Sequence, residues 1–355
     1  MKNILIIISL LLPLSVMSQT KLVKKNAVKA NNYGITYSLP QTNLVITAEV
    51  IKITCKAGPY YQYAEKYLGV KDVITEDRVY YQLGKINLSN VGVPDPEKSF
   101  LLEFKAGTVA PYAYLTEEGL LCAINADYVA EESALEILRK KKAEPVEVVN
   151  VSVFSEELLM AGSTARQAEI AAKDIYRIRE SRLNILTGEA DNLPPDGTAM
   201  QIVIDQLEER EKALSNLFTG VVTRSTELHE VTVVPYDNLN KEVLFRFSEK
   251  LGIVDADDLG GAPVYMNLKA TERIPHMDPK EAEKKLKNGK GVIYNLPGKA
   301  SVEILTNQKT LLKAEVQVTQ FGSIESLASV MFEDKKAPVK VLFYPETGAI
   351  KQIIQ

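Results

Sequence analysis

The sequence predicts an α+β protein in which two mostly antiparallel β-rich units flank a long antiparallel αα-hairpin. Three observations carry this. Apolar residues recur at every second position in many short stretches before Asp127 and again after Gly220. Between those regions, from Ala165 to Phe218, they recur at helical spacing. The chain is also of ordinary globular make-up, 355 residues with 46% apolar and 25% charged, enough for about two domains and unlike a disordered tail or a collagen-like fibre.

Taken from the start, residues 1–18 read as a secretory signal peptide: Lys2 is followed by an apolar run from Ile4 to Val16, and Ser18 offers a small residue before Gln19. That run is roughly 20 Å long as a helix, short of a ~30 Å hydrocarbon core, and Pro13 interrupts it. The mature chain has no second apolar run of spanning length, so the expectation is an exported protein, periplasmic or extracellular, with no transmembrane segment. A net charge of −4 spread along the chain gives no basic face for a polyphosphate, which argues against a nucleic-acid partner.

Residues 19–126 read as an N-terminal β-rich domain. Its strands are expected at 33–39, 44–55, 78–88 and 99–104, with a hairpin of 112–115 and 120–125 closed at Gly119. A short helix is expected from Tyr60 to Leu68, after Pro59 and before Gly69. Residues 127–162 read as a linker or partly helical excursion whose charge run, Arg139-Lys140-Lys141-Lys142, fits a solvated face.

Residues 163–220 hold the hairpin. Ala168, Ala172, Ile175 and Ile178 line one helix; Met200, Val203, Ile204, Leu207, Leu214, Leu217 and Phe218 line the next. Ser163 fits the first N-cap, Gly188 the first stop, and Asp196 or Thr198 the second N-cap. The first helix carries Arg166, Lys173, Arg177, Arg179 and Arg182 and the second Asp205, Glu208, Glu209 and Glu211, opposite charges that fit an antiparallel pairing. Residues 221–355 form a C-terminal β-rich domain, with strands at 221–234, 243–247, 262–268, 291–294, 301–305 and 311–319. A further helix is expected from Pro279 to Lys287, and 339–343 with 349–354 make a closing hairpin.

The two β-rich stretches echo each other. Gly34-Ile35-Thr36-Tyr37-Ser38-Leu39-Pro40 is similar to Gly291-Val292-Ile293-Tyr294-Asn295-Leu296-Pro297, and Ala110-Pro111 leads to a Gly119 turn much as Ala337-Pro338 leads to a Gly348 turn. This is either an internal duplication, with an insertion near Tyr60 to Asp95 in the first copy, or a chance likeness of β-hairpins. The Tyr37-Ser38-Leu39-Pro40 strand, Gly58-Pro59-Tyr60-Tyr61 leading to Tyr67-Leu68-Gly69, Ile178-Arg179 with Arg182, Gly188-Glu189 and Leu217-Phe218 together resemble a Bacteroidetes family of exported proteins classed as a domain of unknown function. The resemblance implies an envelope setting and no activity.

Few residue patterns carry chemistry. His229 and His276 are the only histidines, and His229-Glu230 lacks the second histidine of a zinc-protease helix. Asp255, Asp257 and Asp258 open like a calcium loop, but Leu259 and Met266 stand where an EF-hand needs ligands, leaving a loose surface cation site or a solvated turn. Cys55 and Cys122 lie on apolar strand parity and are either a disulfide pair or two buried thiols. No serine elbow, phosphate loop or dinucleotide fingerprint occurs, so no catalytic residue and no cofactor is expected. Tyr60, Tyr61, Tyr63 and Tyr67 are either a stacking platform for a sugar or peptide or an amphipathic anchor. The leading expectation is therefore a non-enzymatic cell-envelope protein with a structural or protein-interaction role. The alternative is a glycan-binding protein, or a glycoside hydrolase working through a carboxylate pair.

Overall fold

The computed structural model describes residues 27–29, 35–102, 112–130, 132, 134–141, 154–191, 197–275, 291–328, 331 and 339–354. The signal peptide, His276, the helix expected at 279–287, and both Ala-Pro pairs at 110–111 and 337–338 lie outside the described residues. In chain order the first half runs β1 (Ala27–Lys29), β2 (Ile35–Lys56), α1 (Ala64–Leu68), β3 (Arg78–Leu102), β4 (Tyr112–Leu115), β5 (Leu121–Ile124), α2 (Ala134–Lys141) and α3 (Glu156–Met160). Then come α4 (Thr164–Thr187), α5 (Gly197–Thr219), β6 (Val221–Val233), β7 (Leu239–Ser248), β8 (Gly252–Val254), β9 (Ala262–Glu272), β10 (Gly291–Leu305), β11 (Thr310–Ala328), β12 (Lys340–Phe343) and β13 (Ile350–Ile354).

The strands form three antiparallel sheets, ordered β3-β2-β6, β11-β10-β9-β7-β8 and β1-β4-β5-β12-β13. The first two face each other as a sandwich. Leu44, Ile46 and Ala48 of β2 and Ile86 of β3 bury against Phe245, Met266, Val302, Ile304 and Phe321 of the opposite sheet. Leu44, Ile46 and Ala48 stand at two-residue steps and so share one face of β2, while Val45 and Thr47 between them are buried on the other. The third sheet closes a second core over the starts of β2 and β10, where Ile35, Tyr37 and Leu39 meet Val292, Ile124, Val341 and Phe343. That sheet joins the two ends of the chain, because β5 pairs with β12 as Ile124↔Val341 and Ala123↔Leu342. The β-rich stretches before and after the hairpin thus share both sheets and cores.

Three long strands replace the shorter pieces the sequence suggested. β2 runs unbroken through Pro40, β3 through Pro94 and Pro96, and β10 through Pro297. A proline removes a ladder donor and is tolerated at a bulge. Pro40 stands opposite Pro94 beside a register shift, and β10 shifts register between Leu296 and Gly298.

Helices α4 and α5 form the expected antiparallel pair. The Ser163 hydroxyl accepts from the Arg166 N–H, and Gly188 takes the left-handed C-cap conformation at φ 75°. The second helix begins at Gly197, which places Thr198 inside it rather than at its cap. Across the pair Arg179 meets Glu211 at 2.6 Å, and Arg182 meets Glu211 at 3.0 Å and Glu208 at 3.3 Å. Of the expected linker, the described helices are α2 and α3. The Arg139 side chain of α2 grips Glu230 of β6 through two nitrogens, at 2.8 and 2.5 Å.

Candidate functional site

The tyrosine cluster sits at the base of the helical hairpin. Tyr61–Tyr63 make one 3-10 turn that runs into α1, and Gly69 ends it at φ 70°. Tyr60 is buried, its ring edge-on to Phe218 at 5.5 Å and its backbone N–H donating to the Leu217 carbonyl at 2.8 Å. Tyr63 and Tyr67 pack on the same core as Ala168, Ala172, Ile175 and Leu214. The Tyr176 hydroxyl of α4 donates to the Tyr67 carbonyl at 2.7 Å. Tyr60 therefore offers no face to a ligand, and Tyr63 and Tyr67 spend one side on the core. Tyr61 is half-buried, its hydroxyl accepting from Gln62. The tyrosines anchor the segment 58–69 across the feet of α4 and α5. Gly58 allows this approach, since a Cβ there would lie 2.3 Å from the Leu217 carbonyl oxygen.

Asp255, Asp257 and Asp258 are all exposed on the turn after β8. The Asp258 carboxylate accepts the Gly260 N–H at 2.8 Å, and the Ala256 carbonyl accepts from Arg246, so polar groups of the turn are used in shaping it. Among the described residues no three His, Cys, Asp or Glu side chains converge as metal ligands. Cys55 and Cys122 are both buried, unbonded thiols. They stand in different sheets, Cys55 in β2 and Cys122 in β5. Burial pushes the Cys122 thiol up to about 12, so thiolate chemistry at neutral pH is suppressed. His229 lies in β6 with its ring edge-on to Phe245 at 5.7 Å.

Three carboxylates have their proton affinity lowered by the groups that hydrogen-bond to them. Glu169 is lowered by hydrogen bonds from Lys173 and Arg166, Asp237 by the Asn238 N–H and by Arg273, and Glu303 by Lys313 and Thr310.

Two features stood outside the sequence reading. One is a buried polar junction between the echoing strand starts. The Tyr37 hydroxyl donates to the Ile293 carbonyl at 2.9 Å and accepts the Ile293 N–H at 2.8 Å. Close by, the Asn295 amide donates to the carbonyls of Pro40 and Thr347, both at 2.9 Å. The other is the far half of the hairpin. The last buried side chain of α4 is Ile178 and the first of α5 is Leu214. About 13 Å of α4 and about 25 Å of α5 therefore extend beyond them at 1.5 Å per residue. There Leu183, Leu186, Ile202 and Val203 are exposed, Leu186 at 63%.

A family model described as "Domain of unknown function (DUF4831)" matches residues 33–351. The chain belongs to the DUF4831 family. The match takes in the hairpin and every strand but β1 and the end of β13, so both the Tyr37–Ile293 junction and the apolar hairpin tip lie inside the DUF4831 domain. No curated protein and no solved structure matches the chain. Among the described residues no helix of this DUF4831 protein is long and apolar enough to cross a membrane.

Proposed function

We propose that this is an exported cell-envelope protein with a structural or protein-interaction role, and that the hairpin tip is where it meets a protein partner. One observation carries the reading: α4 and α5 extend well past their buried feet and leave Leu183, Leu186, Ile202 and Val203 uncovered at the far end. An isolated exposed leucine is ordinary, whereas four large apolar side chains on two adjoining helix ends mark a contact surface. Export rests on the Lys2 start and the Ile4 to Val16 run, and predicts a mature N terminus at Gln19, readable by mass spectrometry of envelope fractions. Photo-crosslinking side chains placed at 186 and 202 in the producing cell are expected to give one discrete protein adduct, absent from a control at exposed Glu209. Absence of any adduct at both tip positions, with the protein present in the envelope, would defeat the interaction role.

The two β-rich stretches are read here as copies of one unit, and four correspondences support that. The Ser38 N–H donates to the Gly119 carbonyl at 3.0 Å and the Asn295 N–H to the Gly348 carbonyl at 3.1 Å. Both glycines have positive φ, 89° and 67°. The β4–β5 hairpin shifts register between Tyr114 and Leu115, and the β12–β13 hairpin between Leu342 and Phe343. Thr116 N–H to Leu120 and Tyr344 N–H to Ala349 close the two turns at 2.8 Å each. The longer first copy carries residues 57–77, including α1, where the second has the short turn 306–309. Replacing Thr116–Gly119 with the segment Tyr344–Gly348 is expected to leave a folded protein. Loss of cooperative unfolding in that chimera would count against equivalence.

A further inference from the structure

The sheet that joins the two ends of the chain repeats one pairing rule and leaves it unfinished at one edge. β5 pairs with β12 as Ile124↔Val341 and Ala123↔Leu342. β1 pairs with β4 as Val28↔Ala113 and Ala27↔Tyr114. Within the hairpins Ala113 stands opposite Ile124 and Val341 opposite Ile353, so Ala113 of β4 corresponds to Val341 of β12. Residues 27–28 therefore hold on β4 the register that residues 123–124 hold on β12. The corresponding residues of β13 are Gln352 and Ile353, and β13 is the outer strand of the sheet. Its place next to a β4-type strand has no occupant among the described strands.

We propose that β13 of one molecule pairs with β4 of a second copy of this chain, taking the place of that copy's β1, with Ile353 opposite Ala113 and Gln352 opposite Tyr114. The inference rests on the interaction-module reading but uses a different surface from the hairpin tip. An open strand edge presents unpaired N–H and C=O groups that template another strand. The usual protections are weak here. The extra residue of the β13 bulge is Lys351, whose ammonium lies over the Tyr344 ring at 5.6 Å. The bulge leaves 352–354 free to pair just as the matching bulge at Cys122 leaves 123–124 paired with β12. Ile353 and Ile354 are both exposed. The occupant being displaced is short, since β1 holds β4 by three residues. Such a contact joins unlike surfaces, so it extends head to tail.

The test mixes full-length chains of natural and heavy-nitrogen isotope composition, each with a photo-crosslinking side chain at position 352. Adducts between light and heavy chains, mapping to residues 112–116 and rising between about 1 and 100 µM protein, are the expected result. An Ala27→Pro/Val28→Pro double variant removes a ladder donor from β1 and is expected to raise their yield by about threefold or more. Adducts only within one isotope, adducts joining β13 to β13, no adducts, or a yield unmoved by the double variant would each overturn the proposal. None of these outcomes touches crosslinks at 186 and 202, so failure here is separable from failure of the hairpin reading.

Discussion

Replacing Tyr37 with Phe removes one oxygen and leaves two backbone groups of Ile293 without partners. The ring stays, tilted against Phe100 at 6.0 Å, so packing is kept and the change isolates the hydroxyl. That hydroxyl accepts the Ile293 N–H and donates to its carbonyl. Tyr37 is 2% exposed and Ile293 8%, so water does not readily replace either bond. Each buried group left unsatisfied costs about 1–3 kcal/mol, giving an expected loss of about 2–6 kcal/mol for the pair. Urea unfolding followed by circular dichroism, with wild type and Tyr37→Phe fitted to a common slope, reads this directly. A loss below about 0.5 kcal/mol would mean that the junction is solvated or the bonds are not made. Alkaline titration supplies a second readout. Burial holds the Tyr37 phenol well above its ordinary range, while the unfolded phenol ionises near pH 10. The folded state keeps a proton that the unfolded state releases, so this stabilisation is complete below about pH 10 and falls away as pH climbs toward the folded value. The gap between wild type and Tyr37→Phe is expected to narrow above pH 10; a gap that widens would contradict the assignment.

Two further outcomes follow from the packing. A thiol reagent is expected to find neither Cys55 nor Cys122 in the native protein and both after denaturation without reductant; no reaction in denaturant would reveal a bridge and refute the unbonded state described above. Gly58→Ala forces a Cβ against the Leu217 carbonyl and parts the Tyr60 N–H from it, for a loss of at least about 2 kcal/mol by urea unfolding. Unchanged stability in that variant would show that residues 58–69 do not clamp the hairpin.

Local features of the fold were legible from residue order because their causes are local. Ser163, Gly188, Gly69 and Gly119 act as cap, stops and turn through their own backbone geometry. That Leu44, Ile46 and Ala48 share one core can be read from their two-residue steps. Strand length was not legible, since Pro40 looks like a terminator until Pro94 is found opposite it. Nor was the β5 to β12 pairing, which joins residues more than two hundred positions apart through backbone groups every residue carries. The tyrosines show the same limit at the candidate site. Their spacing suits a stacking platform and a hairpin anchor equally, and only the position of Phe218 and Leu217 separates these for Tyr60. Val203 at the hairpin tip hid in the stripe of the second helix, which continues past the point where the rest of the protein stops covering it, and Leu183, Leu186 and Ile202 lie off the stripes that the spacing picks out.

The Tyr37–Ile293 junction spans 256 positions of chain. During synthesis, β2 emerges long before β10 and β12 exist, and Tyr37 has neither Ile293 to bond nor Val341 and Phe343 to pack against until those strands arrive. Topologies dominated by such distant pairings form slowly. A nascent chain of this kind stays open until nearly its last residues are available, and a message cut short before Lys340 would yield an unclosed protein rather than one merely lacking a tail.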